Sequence, residues 1–116
     1  PTTEYVRFYQ RAQIVINLPP SGFQINGHVL EALFCGACVF EHERGAWTTL
    51  LEVGRDCVTY TDPDDLVERI WYYLMHDTER VRIAEHGCET AQQRYSARQL
   101  WTSIFDRVWP ASCGVL

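Results

Sequence analysis

The run Asn26-Gly27-His28-Val29-Leu30-Glu31-Ala32-Leu33-Phe34-Cys35-Gly36-Ala37-Cys38-Val39-Phe40 constrains the fold more than any other stretch of this chain. It reads in order as loop, helix N-terminus, short helix, turn and buried strand. A helix is predicted over 27–35, ended by Gly36 as a left-handed cap. That is the layout of an anion-binding α/β unit. A glycine just before a helix lets backbone approach a ligand, and the first-turn N–H groups then face whatever sits there. Phosphate is the natural guest. Glu31, one turn in, lies within reach of sugar hydroxyls beside a bound phosphate, which makes a nucleotide-sugar the first candidate ligand.

The flanking sequence continues the α/β alternation. Residues 4–12 are expected to be helical, with Tyr5, Phe8 and Tyr9 on one face and arginines on the other. Ile14-Val15-Ile16-Asn17-Leu18 reads as a buried strand, being continuous, β-branched and bounded by Pro19-Pro20. Residues 19–27 form a loop on turn chemistry, and such loops at strand C-terminal ends carry ligands in open α/β sheets. A strand follows over 37–42, then a short helix over 46–53 ended by Gly54, and a third strand over 57–60. Asp62 with Pro63, Asp64 and Asp65 is strong helix-start chemistry, and Leu66, Ile70, Tyr73 and Leu74 form the next apolar stripe. Thr78 is expected to cap a further helix whose Val81, Ala84, Cys88, Ala91 and Tyr95 face inward, with Gly87 marking close packing. Ser96 is expected to cap a last helix carrying Leu100, Trp101, Ile104, Phe105 and Val108, with a tail over 109–116. Strands alternating with helices imply parallel pairing through helical crossovers.

Size and composition narrow the function. A chain of 116 residues is one domain. It opens on Pro1 and its only methionine is Met75, so a piece of a longer protein is expected. Net charge is −5 and every basic residue is an arginine. The lack of lysine excludes a Schiff base, a pyridoxal-phosphate site and a P-loop. The acidic balance without a basic cluster argues against nucleic acid as a partner. No apolar run is long enough to span a bilayer, and a cytoplasmic location is expected. Five cysteines at irregular spacing make no disulfide framework. Cys35 and Cys38 match C-x-x-C, but no second pair completes a zinc site, and the motif follows a helix end, where the dipole disfavours a thiolate. Both are expected as small residues at a helix-to-strand junction. No cofactor and no metal are expected.

Taken in order, Leu30-Glu31-Ala32, Cys35-Gly36, Gly54, Val58, Tyr60, Asp62, Leu66, Ile70, Tyr72-Tyr73-Leu74, His76-Asp77, Arg80, Ile83-Ala84 and Gly87 form a series of blocks, specific in order and spacing, within residues 14–108. It resembles the C-terminal half of group 1 (GT-B) glycosyltransferases, with most likeness to the branch of CgeB-type spore-maturation proteins. The resemblance implies a Rossmann-like three-layer α/β domain with a parallel sheet, the donor-binding half of a two-domain enzyme. It also implies that a missing N-terminal domain supplies the acceptor side of the cleft.

By the same resemblance Glu31 accepts hydrogen bonds from the ribose hydroxyls, and the amides of Asn26, Gly27, His28 and Val29 hold the diphosphate. His28 stands where relatives often carry arginine. An imidazole is charged only near or below a pKa of about 6.5, so such a replacement would weaken donor binding as pH rises. The E-x₇-E pattern of many group 1 enzymes is broken, because Phe23 stands eight residues before Glu31. Ser21 and Gln24 are the remaining candidates for sugar contact. Asp62 and Asp64 superficially make a D-x-D metal motif, but capping explains them without a metal. Two functions stay open. One is a metal-independent glycosyltransferase donor domain acting on a nucleotide-diphosphate sugar. The other is a non-catalytic interaction or structural domain derived from one. A generic flavodoxin-like or response-regulator domain is a weaker third, since the acidic cluster and lysine of such regulators are absent.

Overall fold

The computed structural model describes residues 2–18 and 27–98. Three parallel strands, β1 (Ile14–Ile16), β2 (Cys38–His42) and β3 (Val58–Tyr60), lie in that order in one sheet. Ile14 pairs with Cys38 and Ile16 with Phe40, while Phe40 pairs with Val58 and His42 with Tyr60. The helices are α1 (Thr2–Arg11), α2 (Gly27–Phe34), α3 (Pro63–Met75) and α4 (Asp77–Arg94), with a 3-10 turn at Ala46–Thr49.

The two-residue period of β2 splits the core into two layers. Val39 packs with Val29, Ala32 and Leu33 of α2, Trp47, Leu51, Tyr9 and Ala91. Cys38 and Phe40 turn the other way, against Ile83 and Ala84 of α4 and Leu66, Ile70 and Tyr73 of α3. The tyrosine ring of Tyr73 meets Phe40 edge-on at 5.7 Å. The result is the three-layer, Rossmann-like α/β arrangement expected from the alternation of elements.

The turn between α2 and β2 forms as its sequence predicts. Gly36 has φ +83°, its N–H bonds to the Leu33 carbonyl at 3.0 Å, and the Ala37 N–H bonds to the Ala32 carbonyl at 3.1 Å. Those two bonds are a Schellman cap, which a residue with a Cβ forms only under strain. Asp62 caps α3, its Oδ1 accepting from the Asp65 N–H at 2.9 Å, with Pro63 at the first helical position. Gly87 also matches its expected role. A Cβ there would lie 2.5 Å from the Asp56 carbonyl oxygen and 2.8 Å from Leu33 Cδ2, so α4 approaches α2 only because the position is bare.

Other expectations need correction. The strand at 14–18 extends only over Ile14–Ile16, and Ile16 and Leu18 are exposed. Among the described residues β1 pairs only with β2, so it is not covered on every side. Residues 46–53 form one 3-10 turn, then a turn closed by Asp56, whose Oδ2 accepts from the Glu52 N–H at 2.9 Å. On α1, Tyr9 is buried but Phe8 is exposed. Leu74 is likewise exposed, leaving the α3 stripe to Leu66, Ile70 and Tyr73.

Thr78 does not cap α4, which begins at Asp77 after His76. Its buried stripe is Arg80, Ile83, Ala84, Gly87, Thr90 and Ala91, whereas Val81 is exposed. The displacement has a polar cause. Arg80 Nη1 donates to the Tyr73 carbonyl and to Asp77 Oδ1, both at 2.7 Å, placing a cation on the unsatisfied carbonyls at the end of α3. Thr90 donates to Asp56 Oδ1 at 2.8 Å. The expected helix over 100–108 and the tail lie outside the described residues.

Candidate functional site

A parallel strand feeding a helix brings the helix N-terminus to the strand's C-terminal end. Here a groove of about 380 Å³ runs between the two, lined by Tyr9, Val15, Ile16, Asn17, Leu18, His28 and Val29. The first-turn N–H groups of α2 have no acceptor within the helix. The α-helical dipole adds partial positive charge at the same place. Gly27 leaves open space where a Cβ would stand. This mouth suits an anionic, oxygen-rich ligand.

Of the sequence-predicted site residues, Gly27, His28, Val29 and Glu31 share α2, and His28 and Val29 line the groove. Glu31 sits one turn along and does not line the groove itself. Its side chain is 49% exposed, and its Oε2 lies 3.6 Å from His28 Nδ1. Asn26, Ser21, Gln24 and Phe23 lie outside the described residues. The C-x-x-C pair divides, with Cys38 buried and Cys35 half-buried. Burial pushes the Cys38 thiol up to about 12, so it is neutral packing. The Asp62 and Asp65 carboxylates are spent on capping and on the Thr61 N–H, the latter at 2.8 Å.

Three residues near the site escaped the sequence reading. Tyr5 on α1 reaches across to α2, and its hydroxyl donates to Glu31 Oε2 at 2.6 Å. That contact depends on how α1 packs on α2, which no local pattern reports. Glu41 is the second. It is fully buried on β2, near its C-terminal end. Its Oε1 accepts from Asn17 Nδ2 at 3.0 Å and from the His42 N–H at 2.9 Å, while Oε2 has no partner. The carboxyl group fills the space where a Cβ on Gly45 would stand, so the bare residue at 45 is what admits the acid.

Asn17 is the third. Its N–H bonds to the Phe40 carbonyl at 2.8 Å, and its own carbonyl accepts from the Tyr60 hydroxyl at 2.6 Å. Burial first, and the Glu41 charge second, push the ionisation of Tyr60 up, keeping it a donor. Asn17, Glu41 and Tyr60 thus tie together the C-terminal ends of all three strands. His42 fixes the adjoining loop, with Nδ1 accepting from the Arg44 N–H at 3.1 Å and Nε2 2.9 Å from the Thr61 carbonyl. That pairing requires the Nε2–H tautomer. The site therefore has a rigid floor and an exposed helix mouth.

A second hollow, of about 480 Å³, lies at the opposite end of the strands, between Gln10, Arg11 and Gln13 of the α1–β1 junction, Gly36, and Arg80 and Cys88 of α4. It is the larger of the two. However, α1 and α2 direct their C-terminal ends toward it, so carbonyls rather than amides face it. Arg80, its buried cation, is already engaged.

A family model described as "Glycosyl transferase-like" matches residues 1–106. No curated protein matches the chain. Among solved structures, HepE from Anabaena, determined in complex with UDP and glucose and with UDP-glucose, aligns at a TM-score of 0.76 and 20% identity over 88% of this chain. Sucrose-phosphate synthase from Thermosynechococcus elongatus aligns at 0.74 and 20% identity over 94% of this chain. The chain spans only 28–29% of the length of those structures. At such identity the likeness is one of fold.

Proposed function

Because this chain belongs to the glycosyl transferase-like family, we propose that it is the donor-binding half of a GT-B glycosyltransferase of group 1. In this reading it moves a sugar from a nucleotide diphosphate to an acceptor held by an N-terminal domain. The observation that carries it is the placement of α2, whose N-terminus opens on a groove at the C-terminal end of β1. UDP in the HepE complexes and the order of the motif blocks support the same ligand class. The likeness of those blocks to CgeB-type proteins supports that branch. A cytoplasmic location goes with it.

The amides of Asn26, Gly27, His28 and Val29 hold the diphosphate, and Glu31 accepts the two ribose hydroxyls. No metal is used. The leaving diphosphate is stabilised instead by fixed N–H groups, which act where charge develops. His28 adds a hydrogen bond to phosphate, and its charge when protonated. Ser21 and Gln24 contact the sugar. One observation favours the alternative of a non-catalytic relative, namely Phe23 where the first acid of E-x₇-E would stand.

Titration of the full-length protein with UDP, GDP, ADP and their glucose conjugates tests the reading. Saturable binding should weaken by about 10- to 100-fold in Glu31→Ala, the scale of a hydrogen bond to a charged group. Binding unaffected by that substitution would remove Glu31 from the site. Binding without sugar transfer to any acceptor would favour the non-catalytic relative.

A further inference from the structure

Glu31 is half-exposed on an eight-residue helix. A free glutamate in such a place samples many rotamers, and ordering it on ligand binding costs conformational entropy. Here it is not free. The Tyr5 hydroxyl meets Oε2 at 2.6 Å, the short range of an O–H bond to a carboxylate. The same hydroxyl lies 3.4 Å from His28 Nδ1 and 3.4 Å from the Tyr9 hydroxyl. The Tyr5 ring packs edge-on against Tyr9 at 5.1 Å, and Tyr9 belongs to the α2-side core. A continuous chain of contacts thus runs from the core through Tyr9 and Tyr5 to the Glu31 carboxylate.

We infer that Tyr5 is a positioning residue of the donor site, holding the Glu31 carboxylate ready for the cis-diol of a ribonucleoside diphosphate. The inference rests on the donor-site reading of Glu31. A carboxylate has about four acceptor positions over its two oxygens. One is taken by Tyr5, which leaves Oε1 and the second lone pair of Oε2 for a pair of hydroxyls. Tyr5 therefore does not compete with the diol; it selects the rotamer that meets it. The hydrogen bond to Glu31, followed by that to Tyr9, pushes Tyr5 ionisation up. The hydroxyl thus remains a donor at every pH where a nucleotide would bind.

The test compares UDP with 2′-deoxy-UDP, by calorimetry on the full-length protein, in the native form, Tyr5→Phe and Glu31→Gln. Phenylalanine keeps the edge-on ring contact with Tyr9, so melting temperature serves as the control for folding. Tyr5→Phe should weaken UDP by about 3- to 10-fold, the scale of one freed side-chain rotamer set. It should leave 2′-deoxy-UDP nearly unchanged, so that discrimination between the two narrows at constant melting temperature. A purely structural role would weaken both alike. Equal loss for both nucleotides, no loss, or tighter UDP binding in Tyr5→Phe would overturn the inference while Glu31 kept its role. Where GDP or ADP binds in place of UDP, that nucleotide and its 2′-deoxy form replace the pair; unchanged discrimination in Glu31→Gln, or no binding of UDP, GDP or ADP to the native protein, would instead bring down the donor-site reading and this inference with it.

Discussion

Two glutamates ten residues apart meet opposite fates. Glu31 stands one turn into α2 with half its side chain in water, while Glu41 is sealed within the sheet near the C-terminal end of β2. Both have one oxygen engaged by a neighbouring element, Glu31 by Tyr5 of α1 and Glu41 by Asn17 after β1. The difference lies in what remains. The spare acceptors of Glu31 face solvent and a ligand can reach them, whereas Oε2 of Glu41 faces Gly45 without a partner. Exposure, more than residue type, leaves one acid open to a ligand and sets the other to tying strands together.

The comparison can be pressed hardest through the sheet interior, where unpaired charge is expensive. Burial pushes Cys38 and Cys57 up from 9.0 to about 12. Between those values the native state keeps protons that the unfolded chain releases. Stability therefore falls as pH rises from 9.0 toward 12, by at most about 1.4 kcal/mol per pH unit for each thiol. Urea unfolding across that range should show the decline, and Cys38→Ala should remove only the Cys38 share of it, leaving that of Cys57. A flat profile in the native protein would mean that the interior accommodates a thiolate.

Glu41→Ala comes next. It removes the carboxylate that accepts from Asn17 Nδ2 and the His42 N–H and opens a void under Gly45, and should cost about 2–4 kcal/mol in urea unfolding. Gly87→Ala should cost about 1–3 kcal/mol, because the methyl would meet the Asp56 backbone, which cannot swing aside. Asp62→Ala removes a helix cap and should cost about 1 kcal/mol. Glu31→Ala should leave stability within about 0.5 kcal/mol, whereas the proposed donor-site role has it weaken nucleotide binding. A large stability loss there would erase the distinction between the two acids.

What the sequence disclosed follows the range of the forces involved. The α2–Gly36–β2 unit was legible because a cap glycine, a helical period and an apolar run are local signals. The Asp62 cap was legible for the same reason. On α4 the expected stripe was displaced, since Val81 looks apolar while Arg80 is buried only because α3 ends beside it. Glu41 was invisible because an acid near a strand end ordinarily faces water, and only the bare space at Gly45, four residues on, makes room for it. Tyr5 was assigned correctly to a helix, but its hydroxyl finds Glu31 across 26 residues. Polar contacts between distant elements were what local pattern could not supply, and they tie the strand ends beside the groove and join Tyr5 to Glu31.

The central claim is that a ligand enters at the N-terminus of α2. Amide hydrogen exchange by mass spectrometry, on the full-length protein with and without saturating UDP, tests it most directly. The expected result is slowed exchange in peptides covering Gly27 to Glu31 and Asn17, with no change around Arg11 and Arg80 at the other end of the strands. Protection confined to the hollow beside Arg11 and Arg80, with the α2 peptides unaltered, would contradict the claim.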